Sequence, residues 1–416
     1  MTQRYDTYKD SGVFWNKTMP SHWEVRRLGH ILIKQRRERP SDAELLVCTN
    51  KATVVKKGDS KMGLVSDTDE IYQGVCKGDL LIHGMDTWHG AIAVSTQDGM
   101  CTPVVHVCTS KESVKYVEYY LRNMAQNKVF KLISNGVRQN TSDFRSWNKI
   151  APIPCLLPPY EEQLSIVSYL DDKCGKIDKM LEGKQKQIEL LAEMKQRIIA
   201  DAVTRGLNPD VKMKATNIPW LPEIPEHWEL RKMKYLFRER SEKNHPAEPM
   251  LSATQTHGVI LQSKYSGRVV VVNTGFEGLK LVKVGDFVIH LRSFQGGIEL
   301  AHDQGIISSA YTVLSLNDST QSDYFRYLFK SIPFIDLLKT CVTGIREGQN
   351  INYAKLKQNR IPLPPLDEQR AIVSYITGKT SKIDTLTSKL QQEIESIKEY
   401  KPRLISDVVT GQIKVC

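Results

Sequence analysis

Apolar residues recur every seven positions over two long stretches of the chain. In these stretches the positions are Leu170, Ile177, Lys184, Leu191 and Ile198, and later Ile376, Ile383, Leu390, Ile397 and Leu404, all of them apolar except Lys184. A second set of positions, four residues further on, runs beside the first, and Lys195 and Lys401 interrupt it. A heptad pattern held this long predicts two long helices that pack on each other along a seam that the lysines make imperfect.

The residues before each heptad stretch follow a different pattern. Short β-rich runs, such as 268–272 and 286–289, stand between glycine-containing turns, and brief helical patterns occur near 116–123 and 324–330. This mixture predicts an irregular α+β globule. A Pro-Pro pair then precedes each heptad stretch, where a helix can begin but cannot be continued through.

The two halves of the sequence repeat each other at an offset of 205 to 207 residues. The clearest pairs of segments are 20–28 with 225–233, 78–83 with 285–290, and 158–163 with 364–369. The first pair carries Pro-x-His-Trp, the second Gly-Asp before an apolar run, and the third Pro-Pro-x-x-Glu-Gln. The chain is therefore two copies of one unit.

Repeat and pattern together predict an α+β fold of two globular domains joined by two long helices that form an antiparallel coiled coil. This arrangement has pseudo-two-fold symmetry and brings the two termini close together. The predicted boundaries are 1–157 for the first domain, 158–205 for its helix, 206–216 for a linker, 217–363 for the second domain and 364–416 for the last helix.

Charge adds a functional hint. The 416 residues carry a net charge of +11, and the two heptad stretches, 159–205 and 365–416, sum to zero. The whole excess therefore belongs to the globules and the segments that join them. Two basic globules are typical of a protein that binds a polyanion such as duplex DNA, although a basic solvated surface remains the plain alternative.

Composition and cysteine spacing exclude several classes of protein. There is no unbroken apolar run of about 20 residues, and the first residues do not resemble a secretory signal. The eight cysteines include no Cys-x-x-Cys pair, so neither a disulfide framework nor a zinc site is expected. We expect reduced thiols in a cytoplasmic protein.

A search for catalytic motifs finds only incomplete ones. Leu157 stands where an Asn/Asp-Pro-Pro-Tyr methyltransferase motif needs its polar residue. Gly378-Lys379-Thr380 resembles the end of a phosphate-binding loop, but Val373 replaces the first glycine. The sequence therefore predicts a chain without catalytic residues, metal ligands or a cofactor of its own. A fused DNA-modifying enzyme and a coiled-coil scaffold stay open as alternatives.

Polar segments at equivalent places in the two repeats are the candidates for DNA contact. Arginine can pair with guanine, and glutamine or asparagine with adenine, although the same groups also bind phosphate or cap turns. The candidates are Trp88, His89, Arg138, Gln139 and Asn140 in the first repeat, and Arg292, Gln295, Arg346, Gln349 and Asn350 in the second. His83 and His290, at equivalent positions, are interpreted as structural, with a shared DNA contact as the alternative.

These motifs and the duplication together resemble the specificity subunit of type I restriction-modification systems. The resemblance implies two target-recognition domains, each reading one half of a bipartite DNA site, and two helices that act as spacer and as docking surface. It implies two methyltransferase subunits and an ATP-dependent restriction and translocase subunit as partners, with S-adenosylmethionine, ATP and magnesium bound by those partners. It also implies that the Glu-Gln pairs at 162–163 and 368–369 are structural or face a partner.

Overall fold

A computed structural model of the chain describes residues 3–59, 71–134, 144–267, 275–290, 293–317, 322–343 and 350–415. The chain divides into two compact units. Unit 1 comprises Met1–Lys184 and Gln391–Cys416, and unit 2 comprises Gln185–Leu390. None of the helices in the described ranges is long and apolar enough to cross a membrane.

Unit 1 is a mixed globule followed by a long helix. Its strands are β1 (Tyr8–Val13), β2 (Asn16–Pro20), β3 (Glu24–Arg27), β4 (Leu32–Lys34), β5 (Leu46–Cys48), β6 (Val54–Lys56), β7 (Gln73–Val75), β8 (Leu80–His83), β9 (Ile92–Val94), β10 (Gly99–Cys101), β11 (Val105–Ser110) and β12 (Pro154–Leu157). Its helices are α1 (Leu28–Ile31), α2 (Val114–Gln126), α3 (Val129–Ile133), α4 (Trp147–Ile150) and the first part of α5 (Tyr160–Arg205).

Unit 2 repeats this order. Its strands are β13 (Met213–Ile218), β14 (Leu221–Pro225), β15 (Glu229–Lys232), β16 (Phe237–Arg240), β17 (Leu251–Thr254), β18 (Gly258–Leu261), β19 (Lys280–Val282), β20 (Phe287–Ile289), β21 (Glu299–Leu300), β22 (Gly305–Ile307), β23 (Thr312–Leu316), β24 (Val342–Thr343), β25 (Asn350–Ile351) and β26 (Arg360–Leu363). Its helices are α6 (Met233–Leu236), α7 (Ser293–Gly296), α8 (Ser322–Lys330), α9 (Ile332–Thr340), α10 (Tyr353–Leu356) and the first part of α11 (Leu366–Val409).

The strands of both units pair in the same way. An antiparallel four-stranded sheet has the order β4-β11-β8-β9 in unit 1 and β16-β23-β20-β21 in unit 2. The strand before each long helix pairs with a strand near the start of its repeat, as β12 with β3 and β26 with β15. The repeat seen in the sequence is therefore a repeat of topology, and the α+β prediction is confirmed.

The core of unit 1 combines the globule with segments of both long helices. Trp23 and Tyr116 are fully buried there, with Leu170 of α5 and Val408 of α11. The Tyr116 hydroxyl donates to the carbonyl of Val409, at the end of α11, at 3.3 Å. The chain termini also meet in this unit, because the Lys414 amide donates to the Gln3 carbonyl at 2.8 Å.

Unit 2 has the corresponding core. Trp228 and Tyr324 are buried with Val203 of α5 and Ile376 of α11. The Tyr324 hydroxyl donates to the Val203 carbonyl at 3.0 Å, which repeats the bond between Tyr116 and Val409. Each globule thus packs on the start of its own long helix and on the end of the helix from the other repeat.

The two long helices run antiparallel within each unit. In unit 1, Lys401 donates to Asp178 at 2.6 Å, and Lys184 pairs with Glu393. In unit 2, Lys195 donates to Asp384 at 2.6 Å. The apolar seam positions in both units are buried or half-buried, so the predicted coiled coil is confirmed.

The observed element bounds refine the expectations from sequence. Both long helices begin at the residue that directly follows their Pro-Pro pair, and α11 continues through Pro402. The predicted linker 206–216 is shorter in the structure, because β13 already begins at Met213. Helices α2 and α8 cover the predicted helical stretches, β20 covers most of 286–289, and the run 268–272 lies outside the described residues.

Candidate nucleic-acid interface

The Pro-x-His-Trp motif and the Pro-Pro helix start of unit 1 meet in space. Because β3 pairs with β12, Glu24 lies opposite Leu157, and the first turn of α5 comes next to Trp23. The Trp23 indole donates to Glu162 Oε1 at 3.1 Å, and the Tyr5 hydroxyl donates to the same oxygen at 2.5 Å. His22 Nε2 lies 2.8 Å from Glu162 Oε2.

Unit 2 repeats this tryptophan–glutamate contact. The Trp228 indole donates to Glu368 Oε2 at 3.0 Å, and His227 Nε2 lies 2.8 Å from the same oxygen. The glutamine after each glutamate is buried, and its amide donates to the carbonyl of the first proline at 2.9 Å in both units. Both Glu-Gln pairs therefore hold the helix start against the globule.

The Gly-Asp motif forms a turn before the central strand of each sheet. Gly78 and Gly285 have φ of +93° and +90°, a backbone conformation that glycine adopts without steric cost. The buried Asp79 accepts from the Cys76 amide at 2.7 Å and pairs with Arg37. This hydrogen bond raises the pKa of the Arg37 guanidinium, in spite of the opposing effect of burial.

Asp286 occupies the same place in unit 2. It accepts from the Lys283 amide at 2.8 Å and from Arg240 Nε at 2.8 Å. The hydrogen bond to Asp286 likewise raises the pKa of Arg240. The sequence does not indicate these arginine partners, because each lies more than 40 residues from its aspartate.

The segment after β8 carries two of the predicted DNA-contact residues, Trp88 and His89. His89 is exposed, whereas the Trp88 ring packs on the core of unit 1. The Lys131 ammonium lies 5.9 Å from the centre of the Trp88 ring. Among the described residues no acceptor bonds the buried Trp88 indole N–H. Of the two side chains, His89 is the one that can reach a ligand without rearrangement.

The residues that follow the other predicted segment of unit 1 lie beside the segment after β8. Arg138, Gln139 and Asn140 themselves lie outside the described residues. After them, the Phe144 amide donates to the Gly84 carbonyl at 3.0 Å, and His106 Nε2 lies 2.7 Å from the Phe144 carbonyl. A side chain at Gly84 would collide with the backbone of this segment, because its Cβ would lie 2.9 Å from the carbonyl oxygen of Phe144.

In unit 2 the equivalent segment is helix α7, which carries the exposed Gln295. Arg292 lies outside the described residues. The His290 amide donates to Ser293 Oγ at 2.9 Å, which fixes the start of the helix. Gly297 ends the segment with a φ of +89°, where a Cβ would lie 2.2 Å from the Phe329 carbonyl oxygen.

An ion pair between Lys330 and the buried Glu299 contacts the backbone at the end of α7. The Glu299 side chain is fully buried, and its Oε1 accepts from Lys330 at 2.5 Å. The same ammonium donates to the carbonyls of Gly296 at 2.9 Å and of Gln255 at 3.2 Å. Sequence reasoning missed this pair, although a glutamate inside the apolar run 298–301 was a usable signal.

The last predicted segment of unit 2 is the loop between β24 and β25. Arg346 and Gln349 lie outside the described residues, and Asn350 is exposed opposite Thr343. Helix α7 packs against β25, so the two predicted segments of unit 2 are neighbours. In unit 1 the hydrogen bond between Phe144 and Gly84 brings the residues after the predicted segment to the segment after β8.

The two equivalent histidines, His83 and His290, stand where the central strand of each sheet ends and these segments begin. His83 Nδ1 accepts from the Asp86 amide at 3.1 Å, and burial lowers the pKa of His83. His290 is nearly buried, with Nε2 3.8 Å from Glu299 Oε1. Both positions have structural contacts, and both lie next to exposed polar residues.

No group of three or more histidine, cysteine, aspartate and glutamate side chains suited to a metal ion occurs among the described residues. The arrangement in each unit is one of exposed polar side chains on a braced frame. Such a frame can present hydrogen-bonding groups to the grooves of a duplex.

Comparison with known proteins agrees with this description. The family model for the type I restriction modification DNA specificity domain matches residues 224–396. The putative type I restriction enzyme MjaX specificity subunit of Methanocaldococcus jannaschii is 26% identical over 434 residues, covering 95% of each chain. The MjaVIII specificity subunit of the same organism is 26% identical, over 62% of each chain.

Two solved structures share the fold at 15% identity. One, from work on assembly and conformational transition of the type I R-M system, has a TM-score of 0.69 and covers 95% of this chain and 99% of its own. The other, the HsdS subunit of Thermoanaerobacter tengcongensis, has a TM-score of 0.53 and covers 94% of this chain and 96% of its own. The chain is therefore similar, over nearly its whole length, to specificity subunits of type I restriction-modification systems.

Proposed function

We propose that this chain reads a bipartite DNA site, one half with each globule, and directs methyltransferase and restriction subunits to it. The observation that carries the proposal is the polar segment that follows β8 in unit 1 and β20 in unit 2, held in both units on the same sheet frame. The frame is common to the two units, whereas the exposed side chains differ. His89 stands in the segment of unit 1, and Gln295 stands in that of unit 2. Different side chains on one frame are what two different half-sites require.

The alternatives raised by the sequence have less support. A scaffold without DNA affinity gives no reason for two braced sets of exposed polar residues. A fused modifying enzyme finds no support in the relatives that the chain resembles, which are specificity subunits. On the proposed function, S-adenosylmethionine, ATP and magnesium are bound by the partner subunits, and the complex acts on DNA in the cytoplasm.

The long helices carry a partly exposed aromatic patch in each unit that suits these partners. In unit 1 the patch consists of the half-buried Tyr169, the exposed Tyr400 and Lys173, whose ammonium lies 5.5 Å from the Tyr169 ring centre. Burial, and to a lesser extent the nearby Tyr400, raises the pKa of Tyr169. Exposed aromatic side chains that flank a coiled coil are typical of a protein-binding surface.

Unit 2 has the equivalent patch at an offset of 206 residues. The positions that correspond by this offset are Tyr375, Met194 and Lys379; Tyr375 and Met194 are exposed, and the Lys379 ammonium lies 5.6 Å from the Tyr375 ring centre. Two equivalent patches fit two copies of one partner, and we assign them to the two methyltransferase subunits.

The DNA-reading proposal is tested by exchanging one globule. Residues 217–363 are replaced by the corresponding segment of a relative with a different site, and the methylated sequence is read from the DNA of cells that also carry the methyltransferase partner. One half of the site should change, and the half read by residues 1–157 should remain. A change in both halves, or methylation without any defined sequence, would contradict the proposal.

The docking assignment is tested separately. Tyr169→Glu and Tyr375→Glu should each remove one methyltransferase subunit from the complex, as measured by native mass spectrometry. Ser381→Glu, an exposed site on α11 outside the patch, is the matched control and should leave the stoichiometry at two. If either tyrosine variant still binds two subunits, its patch is not a docking site.

A further inference from the structure

A cavity of about 490 Å³ lies at the surface of unit 1, beside His83. Its apolar walls are formed by residues of β5, of the turn before β11 and of the start of β11, among them Leu46, Val104 and Val105. Polar side chains complete the lining, namely Lys57, His83, Asp86 and Thr102. An apolar cavity with a few polar groups is the usual form of a site for a small planar ligand.

Two features that the units share identify the same place in unit 2. Val105 lies opposite His83 in the sheet, and the register of β20 with β23 brings Tyr311 to the position opposite His290. The Val105 carbonyl accepts from the side chain of Gln73 at 2.6 Å. The Tyr311 carbonyl accepts from the side chain of Lys280 at 2.7 Å, in the same position relative to the sheet. Val105 and Tyr311 are therefore equivalent.

In unit 2 this place is taken by an aromatic ring of the chain itself. The Tyr311 ring is partly buried against the apolar cluster of Leu251, Val288 and Val313. Its centre lies 6.2 Å from that of the His290 imidazole, with the planes at 63°. In unit 1 the short side chain of Val105 replaces that ring, and the cavity lies next to the equivalent imidazole of His83. The fold accommodates a planar ring at this place in one unit and leaves room for one in the other.

We propose that the cavity of unit 1 binds a single nucleobase that has left the stack of the DNA duplex. The inference rests on the proposed function, because a DNA-reading globule meets planar rings chiefly as nucleobases. An extrahelical base is held by apolar contacts on its faces and by hydrogen bonds on its edge, and the cavity supplies both kinds of surface.

The polar groups are placed to read the edge of such a base. Asp86 offers carboxylate oxygens to an amino group, and Thr102 offers a hydroxyl. His83 Nδ1 accepts a hydrogen bond from the Asp86 amide. The neutral imidazole therefore carries its proton on Nε2, and this N–H can donate a hydrogen bond to the base. The lowered pKa of His83 agrees with that neutral form. The cavity also lies at the foot of the segment that carries His89.

The proposal is tested on the full chain assembled with its methyltransferase subunits. Once the DNA site is known, duplexes carry 2-aminopurine or pyrrolocytosine at one position at a time, and unstacked thymine is probed with permanganate. We expect one position in the half-site read by unit 1, other than the methylated base, to show a rise in fluorescence or reactivity of about fivefold on binding. The half-site read by unit 2 should show no such position apart from any methylated base.

Val105→Tyr gives unit 1 the residue that unit 2 carries at this place. It should abolish the rise at that position, weaken specific binding about tenfold, and leave the signal of the methylated base unchanged. Tyr311→Val is the matched variant in unit 2 and should not affect the position read by unit 1.

If the wild-type complex binds its site and no position outside the methylated base responds, the cavity holds no base and the inference fails. A response that persists in Val105→Tyr would also overturn it. Failure of specific binding in the wild-type complex would instead contradict the proposed function itself.

Discussion

At the scale of single residues, the glutamates at the helix starts have a defined structural task. Glu162 accepts from a buried indole and a tyrosine hydroxyl and lies within hydrogen-bond distance of His22, and Glu368 repeats the contacts to tryptophan and histidine. The bonds join segments about 140 residues apart in the chain. Neither the Pro-x-His-Trp motif nor the Pro-Pro-x-x-Glu-Gln motif needs a catalytic explanation.

We therefore expect Glu162→Ala to lower the free energy of unfolding of unit 1 by about 2 kcal/mol, because the Trp23 N–H would stay buried without an acceptor. Glu162→Gln retains an acceptor oxygen and should cost less. Urea unfolding followed by tryptophan fluorescence measures both variants. Equal losses in the two variants would show that charge, and not the hydrogen bond, holds the helix start.

Lys330 is a positioning residue for the polar segment of unit 2. Lys330→Met leaves Glu299 buried without its partner, which costs about 3 kcal/mol or more of stability. It also frees the Gly296 carbonyl, so recognition of the half-site read by unit 2 should weaken while the other half-site is unaffected.

The double variant Lys330→Met with Glu299→Gln separates the two effects. It should recover most of the stability, because no buried charge remains, but not the DNA recognition, because α7 still lacks its brace. Thermal unfolding and binding to duplexes with one altered half-site measure these effects. Full recovery of binding in the double variant would show that Lys330 does not position α7.

At the scale of elements, the lysines in the seam are the notable feature of the long helices. Lys195 and Lys401 are about 30% exposed, and each donates to an aspartate of the other helix, Asp384 and Asp178 respectively. Both aspartates are 60% exposed, so the ion pairs contribute less than about 1 kcal/mol each.

Lys195→Leu and Lys401→Leu should therefore each raise the free energy of unfolding by about 1 kcal/mol, because a leucine buries more apolar surface in the seam than the ion pair contributes. Chemical denaturation of the full chain is the measurement, with Lys176→Leu on the exposed surface of α5 as control. Destabilisation by both seam variants would mean that the lysines set the register of the helices.

At the scale of the whole molecule, the sequence repeat and the structural unit do not coincide. Each globule packs on the last turns of the helix that belongs to the other repeat, as the bonds of Tyr116 to Val409 and of Tyr324 to Val203 show. A single repeat would leave these faces of its globule uncovered, which gives the duplication a structural reason.

The helices also lead to a prediction about the spacer in the DNA site. Four residues inserted between Leu191 and Ile198 lengthen α5 by about 6 Å, close to two base pairs at roughly 3.4 Å each. Since four is not a heptad, the insertion also shifts the seam. We expect a longer spacer between unchanged half-sites, or loss of specific binding, as read by methylation sequencing.

A matched insertion of seven residues in both helices keeps the seam in register and should retain binding with a spacer longer by about three base pairs. An active complex whose spacer is unaltered in both insertion variants would show that the helices do not set the spacing.

The sequence by itself determined the features that depend on local periodicity and on self-comparison. The heptads located both long helices and their seam, and the offset of about 206 residues revealed the duplication. The helix starts followed from the Pro-Pro pairs to within two residues. These signals are local because burial on one side of a helix repeats along the chain.

Only the tertiary structure decided which distant residues meet. The ion pairs of Arg37 with Asp79 and of Lys330 with Glu299, and the equivalence of Val105 with Tyr311, depend on how strands pair and on which side chains fill a space. No periodicity encodes these contacts, because packing and register join positions that are far apart in the chain.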